Sequence, residues 1–319
     1  MFELYKKRDL SANFSDTIAF FKTFGKHYFK NYFIINGIFL MVLVVLIYFI
    51  SKIYMELIFS NMSNMLQSNP NYLINYFNNN MFIFIGGFII TFLLIVILSM
   101  LNISFPVIYL RLVEKTNGND FPIQEIISGL KANIGKMFVF LLGSMFILFP
   151  LAIIVFGLLV FLCLILIGIP LLFIIGPAFI SWITLSYYEY ILKDVGYFTA
   201  LSNGFGLVKQ KFWVIVGTTF LMMLLVQIIQ GFITMIPYVI SLIWMFVSTQ
   251  DIQSQTSQTD TFSTMGILFA VIMVFSVLLS YVFNNFILVN QGLIYYGLQE
   301  ENENNATKSQ IDLIGSDIE

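Results

Sequence analysis

Apolar residues in this chain gather into six runs of membrane-spanning length, and almost no charged side chain falls inside any of them. The runs cover residues 33–53, 81–110, 137–161, 169–192, 212–236 and 265–298. A helix needs about 20 residues to cross the hydrocarbon core of a bilayer. With 59% hydrophobic and 10% charged residues, the sequence excludes a water-soluble fold and predicts an all-α integral membrane protein with six transmembrane helices.

The third and fourth runs form one long apolar stretch, because no charge occurs between Lys136 and Glu189. A stretch of this length must fold as a hairpin if each half crosses the membrane. Glycine and proline are the residues that interrupt helices most strongly, and they occur here at Gly157, Gly168, Pro170 and Pro177. We therefore expect the turn between about residues 161 and 169.

The basic residues predict the orientation of the chain. Cytoplasmic loops carry an excess of Lys and Arg, and an alternating path through six spans places every Lys and Arg except Lys52 on one side. The opposite-side loops, residues 61–80 and 248–264, contain neither. The prediction is a cytoplasmic N-terminus over residues 1–32 with an amphipathic interfacial helix, a six-span membrane domain over 33–298, and a polar, acidic cytoplasmic tail over 299–319.

Three segments that precede the odd-numbered spans resemble one another: residues 15–37, 122–143 and 196–217. In each, an amphipathic stretch leads to an aromatic residue five positions before a glycine, and the three pairs are Tyr32 with Gly37, Phe138 with Gly143, and Phe212 with Gly217. This similarity predicts three amphipathic interfacial helices, each followed by a two-span hairpin, as three repeats.

The first interfacial segment carries a row of lysines. Lys22, Lys26 and Lys30 recur at four-residue steps, which places them on one face of a helix. Lysines near an anionic leaflet each contribute about 1 kcal/mol of attraction. The row indicates either simple anchoring of the first span or recognition of lipid headgroups, and Trp213 is a further candidate for the lipid interface.

Polar side chains line one face of the fifth and sixth runs. At about 100° per residue, the principal candidates are Thr219, Gln227, Gln230, Thr234, Asn284 and Gln291. Small and amide side chains allow close approach and hydrogen bonding between helices in lipid. Two interpretations stay open from the sequence: helix packing, or a polar cavity between the two spans that holds a headgroup or small solute.

Glu189 is the one acid set among apolar and aromatic residues, and Lys193 follows four positions later, where an ion pair forms across one helical turn. An acid within a span is a functional candidate, but this one lies near the end of its run. His27 is the only histidine and Cys163 the only cysteine. The sequence therefore predicts an interfacial ion pair, with no metal site, no cofactor and no catalytic triad.

A family resemblance rests on Tyr188-Glu189, on residues 195–202 with the letters VGYFTALS, and on Phe212-Trp213. These residues are similar to a signature of bacterial multi-span proteins that include the membrane domain of some glycerophosphodiester phosphodiesterases and the YciC-like proteins. The resemblance implies a six-span fold with interfacial helices in the bacterial cytoplasmic membrane. It carries no enzyme activity over, because the chain has no phosphodiesterase domain.

Together these features predict a non-enzymatic membrane protein that interacts with lipid or scaffolds a membrane complex. The alternative is a transporter or channel-like carrier for a lipid or small solute along the polar face of spans five and six. The expected partners are membrane lipids and a protein partner or second copy, without nucleic acid.

Overall fold

The computed structural model describes residues 2–66, 72–118, 120–248 and 255–303, and within these ranges it is helical and contains no strand. The helices are α1 (Leu10–Leu66), α2 (Tyr72–Lys115), α3 (Ile123–Ala132), α4 (Ile134–Gly143), α5 (Phe149–Cys163), α6 (Gly168–Leu192), α7 (Tyr197–Gln210), α8 (Phe212–Ser248) and α9 (Gln255–Glu303). A single π turn, Ser144–Leu148, joins α4 to α5.

Six helical segments of the described chain are long and apolar enough to cross a membrane. They are Leu10–Ser51, Asn78–Lys115, Ile134–Cys163, Gly168–Leu192, Phe212–Ile240 and Ile267–Glu303. Each contains most or all of one apolar run, so the prediction of a six-helix, multi-pass membrane protein is confirmed at this level. The shortest has 25 residues, which is enough for a span of about 30 Å at 1.5 Å per residue.

The turn between the third and fourth segments lies between α5 and α6, inside the predicted interval. Leu166 adopts a left-handed backbone with φ 62°, a conformation that reverses the chain direction in a short distance. Gly168 begins the next helix, and a Cβ at this position would lie 2.7 Å from the carbonyl carbon of Leu162. A glycine is needed there because a larger residue would collide with the preceding backbone.

The structure differs from the sequence expectation at the first of the three interfacial helices. α3 and α7 are separate short helices with C-caps at Asn133 and Lys211, before spans three and five begin. No such break occurs in α1, which runs without interruption from its cap at Asp9 into the first span. Residues 10–32 are therefore the first part of one long helix, and its buried face continues through Tyr28 and Tyr32. The amphipathic interfacial helix within residues 1–32 stays a prediction.

The chain divides into two compact units. Unit 1 comprises Met1–Ile35, Met100–Val226 and Asn284–Glu319, and unit 2 comprises Asn36–Ser99 and Gln227–Phe283. α3, α4, α5, α6 and α7 belong entirely to unit 1, whereas α1, α2, α8 and α9 contribute residues to both. Residues 304–319 of the predicted tail, and residues 67–71 and 249–254 of the two predicted opposite-side loops, lie outside the described ranges.

Close packing of α6 against α7 defines part of the core of unit 1. A Cβ on Gly204 of α7 would lie 2.7 Å from the backbone nitrogen of Ser186 in α6 and would also collide with the Ser186 hydroxyl. Glycine permits this backbone approach because it has no side chain. The contact holds α7 against the turn of α6 that carries Glu189.

Candidate functional site

A buried carboxylate lies at the end of the fourth span. Glu189 is 2% exposed and receives hydrogen bonds on both oxygens: Asn203 Nδ2 donates to Oε2 at 3.1 Å and Gln299 Nε2 donates to Oε1 at 3.2 Å. Lys193 Nζ lies 3.4 Å from Oε1. A buried charge requires partners of this kind, and here they come from α6, α7 and α9.

Gln299 connects the acid to the lysine a second time. While its amide nitrogen donates to Glu189, its oxygen accepts a hydrogen bond of 2.9 Å from Lys193 Nζ. The same ammonium lies 3.4 Å from Glu303 Oε1. Lys193 therefore contacts two carboxylates and one amide oxygen. This network is larger than the isolated ion pair that the sequence predicts.

A second carboxylate, Glu114 near the end of α2, is held by two tyrosines. Tyr5 donates to Oε1 at 2.7 Å and Tyr296 donates to Oε2 at 2.9 Å. Burial and the neighbouring Glu114 raise the pKa of Tyr5 above its ordinary value of 10.0, so the hydroxyl stays a proton donor. These two bonds attach the N-terminal segment and α9 to the same point of α2.

A cavity of about 330 Å³ is lined by Glu114 and by two partners of Glu189, Lys193 and Gln299. Its walls come from the N-terminal segment and from the C-terminal ends of α2, α6 and α9. The lining residues are Tyr5, Arg111, Glu114, Lys115, Leu192, Lys193, Tyr295, Tyr296, Gln299 and Glu303. The cavity is thus lined by three cations, two carboxylates and three tyrosines, a strongly polar set in a chain of which only 10% is charged.

Arg8 fixes the N-terminal segment that forms one wall. Its guanidinium donates to the carbonyl oxygens of Leu4 at 2.7 Å and Glu3 at 2.6 Å, and to Asp16 Oδ2 at 2.9 Å. Burial lowers the pKa of Arg8, and the carboxylate of Asp16 opposes that shift. Since the guanidinium is 1% exposed, its hydrogen bonds replace the water that it has lost.

The lysine row of α1 is exposed. Lys22, Lys26 and Lys30 all have exposed side chains, whereas Tyr28 on the opposite face is fully buried. Trp213, at the start of α8, is 70% exposed. These four predicted lipid-interface residues are therefore accessible from outside unit 1.

The polar face of spans five and six is divided between the two units. In unit 1, Gln291 Nε2 donates to Thr219 Oγ1 at 2.7 Å, and Thr219 also hydrogen-bonds Ser181 at 2.8 Å. Both Gln291 and Thr219 are fully buried. Their hydrogen bonds join α6, α8 and α9, which is the contact expected from the packing interpretation.

The other members of this face lie apart from that contact. In unit 2, Gln230 Nε2 donates to the carbonyl oxygen of Ser276 at 3.3 Å, and Thr234 bonds the carbonyl oxygen of Gln230. Gln227 is exposed and Asn284 is half-buried. The 330 Å³ cavity is lined by none of the six predicted residues.

Sequence reasoning missed a buried network of tyrosines and amides in unit 1. Tyr28 donates to Asn285 at 2.7 Å, and Tyr32 donates to Asn102 at 2.9 Å. The signal that could have found it is the presence of Asn102 and Asn285 within apolar runs, where a polar group needs a partner. The sequence alone does not show that these asparagines face Tyr28 and Tyr32 of α1.

Among the described residues, no three His, Cys, Asp or Glu side chains are grouped so that they could hold a metal ion. No protein-family model, no curated protein and no solved structure matches this chain. The resemblance to the membrane domain of glycerophosphodiester phosphodiesterases and to YciC-like proteins therefore stays a prediction.

Proposed function

We propose that this chain is a non-enzymatic protein of the bacterial cytoplasmic membrane that interacts with anionic lipid through α1, with both termini in the cytoplasm. The observation that carries the proposal is the exposed row of Lys22, Lys26 and Lys30 on a helix that continues directly into a span. A row of this kind brings three positive charges next to the lipid headgroups.

The spacing of the row fits the headgroup layer. Successive lysines four residues apart in a helix are separated by about 6 Å along the axis, and Lys30 comes three residues before Phe33, which is 46% exposed. Further along the helix, Ile34, Ile38 and Met41 are also exposed, as expected for side chains in contact with lipid. The lysines would thus cross the headgroup layer along the helix axis instead of lying flat in it.

The distribution of charge supports the proposed orientation. Every Lys and Arg of the chain except Lys52 belongs to unit 1, the unit that includes the N-terminal segment and the end of α9. Cytoplasmic segments of bacterial membrane proteins carry this excess of basic residues. A cytoplasmic unit 1 would place the lysine row against the inner leaflet, whose anionic lipids attract it.

Lipid selection by the full-length protein tests the proposal. Wild type, the triple variant Lys22→Gln/Lys26→Gln/Lys30→Gln and the charge-preserving Lys22→Arg/Lys26→Arg/Lys30→Arg are reconstituted in nanodiscs containing equal amounts of phosphatidylethanolamine and phosphatidylglycerol. After detergent exchange, the retained phosphatidylglycerol is measured by mass spectrometry. Each basic residue near an anionic surface contributes about 1 kcal/mol. We therefore expect the glutamine variant to retain at least several-fold less phosphatidylglycerol than wild type.

The arginine variant serves as the matched control, because it keeps three positive charges at the same positions. It is expected to retain phosphatidylglycerol as wild type does. Equal enrichment in all three proteins would contradict an electrostatic role of the row.

A further inference from the structure

The 330 Å³ cavity at the ends of α2, α6 and α9 is not explained by the lysine row of α1. Lys22, Lys26 and Lys30 do not line it. Its volume lies within the range of small-ligand sites in proteins, roughly 300–1,000 Å³. Its walls consist almost entirely of polar and aromatic side chains.

The carboxylates that line this cavity already have partners. Both oxygens of Glu114 accept hydrogen bonds from tyrosine hydroxyls, and Glu303 lies 3.4 Å from Lys193. Glu189, which does not line the cavity, receives its own donors from Asn203 and Gln299. These carboxylates therefore already have hydrogen-bond donors or an ion-pair partner within unit 1.

Of the three cations that line the cavity, only Lys193 forms an ion pair within the ranges that the structure describes. Arg111 and Lys115 line the cavity, and within the described part of the chain neither forms an ion pair or a side-chain hydrogen bond. A partly buried guanidinium keeps five donors that require acceptors. Lys115 lies in the last turn of α2, where the helix dipole favours a cation, but the dipole supplies no acceptor for the guanidinium of Arg111.

We infer that this cavity binds a phosphate-bearing group, with Arg111 as its principal ligand and Lys115 as a second positive charge. The planar guanidinium presents two parallel N–H groups, which match two oxygens of one phosphate. Lys115 supplies a compact charge to the same oxygens. The group is either the phosphate of a lipid headgroup or a free phosphate or phosphate ester, since both present the same oxygens.

Binding to the purified full-length protein tests this inference. Calorimetric titration in micelles of a neutral detergent uses inorganic phosphate and glycerol 3-phosphate as soluble probes. A second arm compares nanodiscs of phosphatidylcholine alone with nanodiscs that contain phosphatidic acid, and measures the retained phosphatidic acid. Saturable binding in the first arm identifies a free phosphate compound, and selective retention only in the second identifies a lipid.

The variants are Arg111→Gln, Arg111→Lys and Lys115→Gln, with Lys131→Gln as the control. Lys131 is exposed on α3 and does not line the cavity. Arg111→Gln is expected to weaken binding at least about tenfold. Arg111→Lys is expected to weaken binding as well, because a lysine keeps the charge and loses the two-point geometry.

Two results would overturn the inference: no binding of any probe by wild type, or equal affinity of wild type, Arg111→Gln and Lys115→Gln. Lys115 is exposed, so Lys115→Gln keeps the test decisive if Arg111→Gln fails to fold. The lysine-row glutamine variant should bind the soluble probes as wild type does. Failure at the lysine row and failure at this cavity are therefore distinguishable.

Discussion

The side chains of Glu189 and Gln299 are joined by a hydrogen bond of 3.2 Å, although 110 residues separate them in the chain. The bond brings the end of α6 to the end of α9 and gives a buried carboxylate one of its donors. Together with Asn203 and Lys193, it makes a network in which each polar atom depends on the others.

Replacement of Glu189 by leucine should destabilise the protein strongly. The amides of Asn203 and Gln299 would lose their acceptor, and an unsatisfied buried polar group costs about 1–3 kcal/mol. We expect a clearly lower melting temperature in detergent, with a smaller decrease for Glu189→Gln, which keeps one acceptor oxygen. The control is Asp194→Asn, because Asp194 pairs with Lys136 at 2.5 Å while its side chain is 82% exposed, and exposed pairs contribute little.

Gly204→Ala should disrupt the packing of α7 on α6. The added methyl group would lie 2.7 Å from the backbone nitrogen of Ser186, so the two helices would have to separate. We expect lower yield and a lower melting temperature. Gly206→Ala in the same helix is the matched control, since nothing lies within 4 Å of its added Cβ; helix propensity alone makes that change stabilising by up to about 1 kcal/mol. A similar outcome for the two alanines would rule out the close contact as the cause.

Variants of the buried pair Thr219 and Gln291 test whether the polar face of spans five and six serves helix packing. Thr219→Val removes the acceptor of the Gln291 amide and should destabilise the protein by about 1–3 kcal/mol. Thr219→Val combined with Gln291→Leu should recover part of this loss, because the amide is then gone and only the Ser181 hydroxyl loses its bond to Thr219. The measurement is a double-mutant cycle of thermal stability.

The transport alternative makes a different prediction: Gln227→Leu with Asn284→Leu would abolish solute flux in vesicles while expression stays normal.

Tyr5 should make the stability of the folded protein depend on pH above about pH 10. The folded protein raises the pKa of Tyr5 above its ordinary value of 10.0, so folding favours the protonated phenol. The resulting stabilisation is complete below about pH 10 and is lost as the pH rises through the raised pKa. The difference in melting temperature between wild type and Tyr5→Phe should therefore be largest at neutral pH and decrease above pH 10. A difference that stays constant across this range would show that Tyr5 does not act through its hydroxyl proton.

Local sequence features predicted much of the fold and little of the site. The six spans and the turn near Gly168 followed from apolar run length and from glycine and proline, which act over a few residues. Lys193 beside Glu189 followed from helical spacing. Gln299 and Tyr296 could not be linked to Glu189 and Glu114 in this way, because those contacts depend on how distant helices pack.

The continuous path of α1 illustrates the same limit. The amphipathic segments before spans one, three and five look alike, yet among these three the helix is interrupted only before spans three and five, at the caps Asn133 and Lys211. Hydrogen bonds of Tyr28 with Asn285 and of Tyr32 with Asn102 stabilise the uninterrupted helix of α1.

The sequence by itself determined that this is a helical protein with six membrane-length segments, because hydrophobic transfer depends on composition and length. It also determined the segregation of basic residues and the four-residue spacing of Lys22, Lys26 and Lys30. Only the tertiary structure decided that Arg111 and Lys115 share a cavity with Lys193 and that the acids around them already have hydrogen-bond or ion-pair partners. Such contacts depend on distances of a few ångströms between side chains from different helices, and no local pattern encodes them.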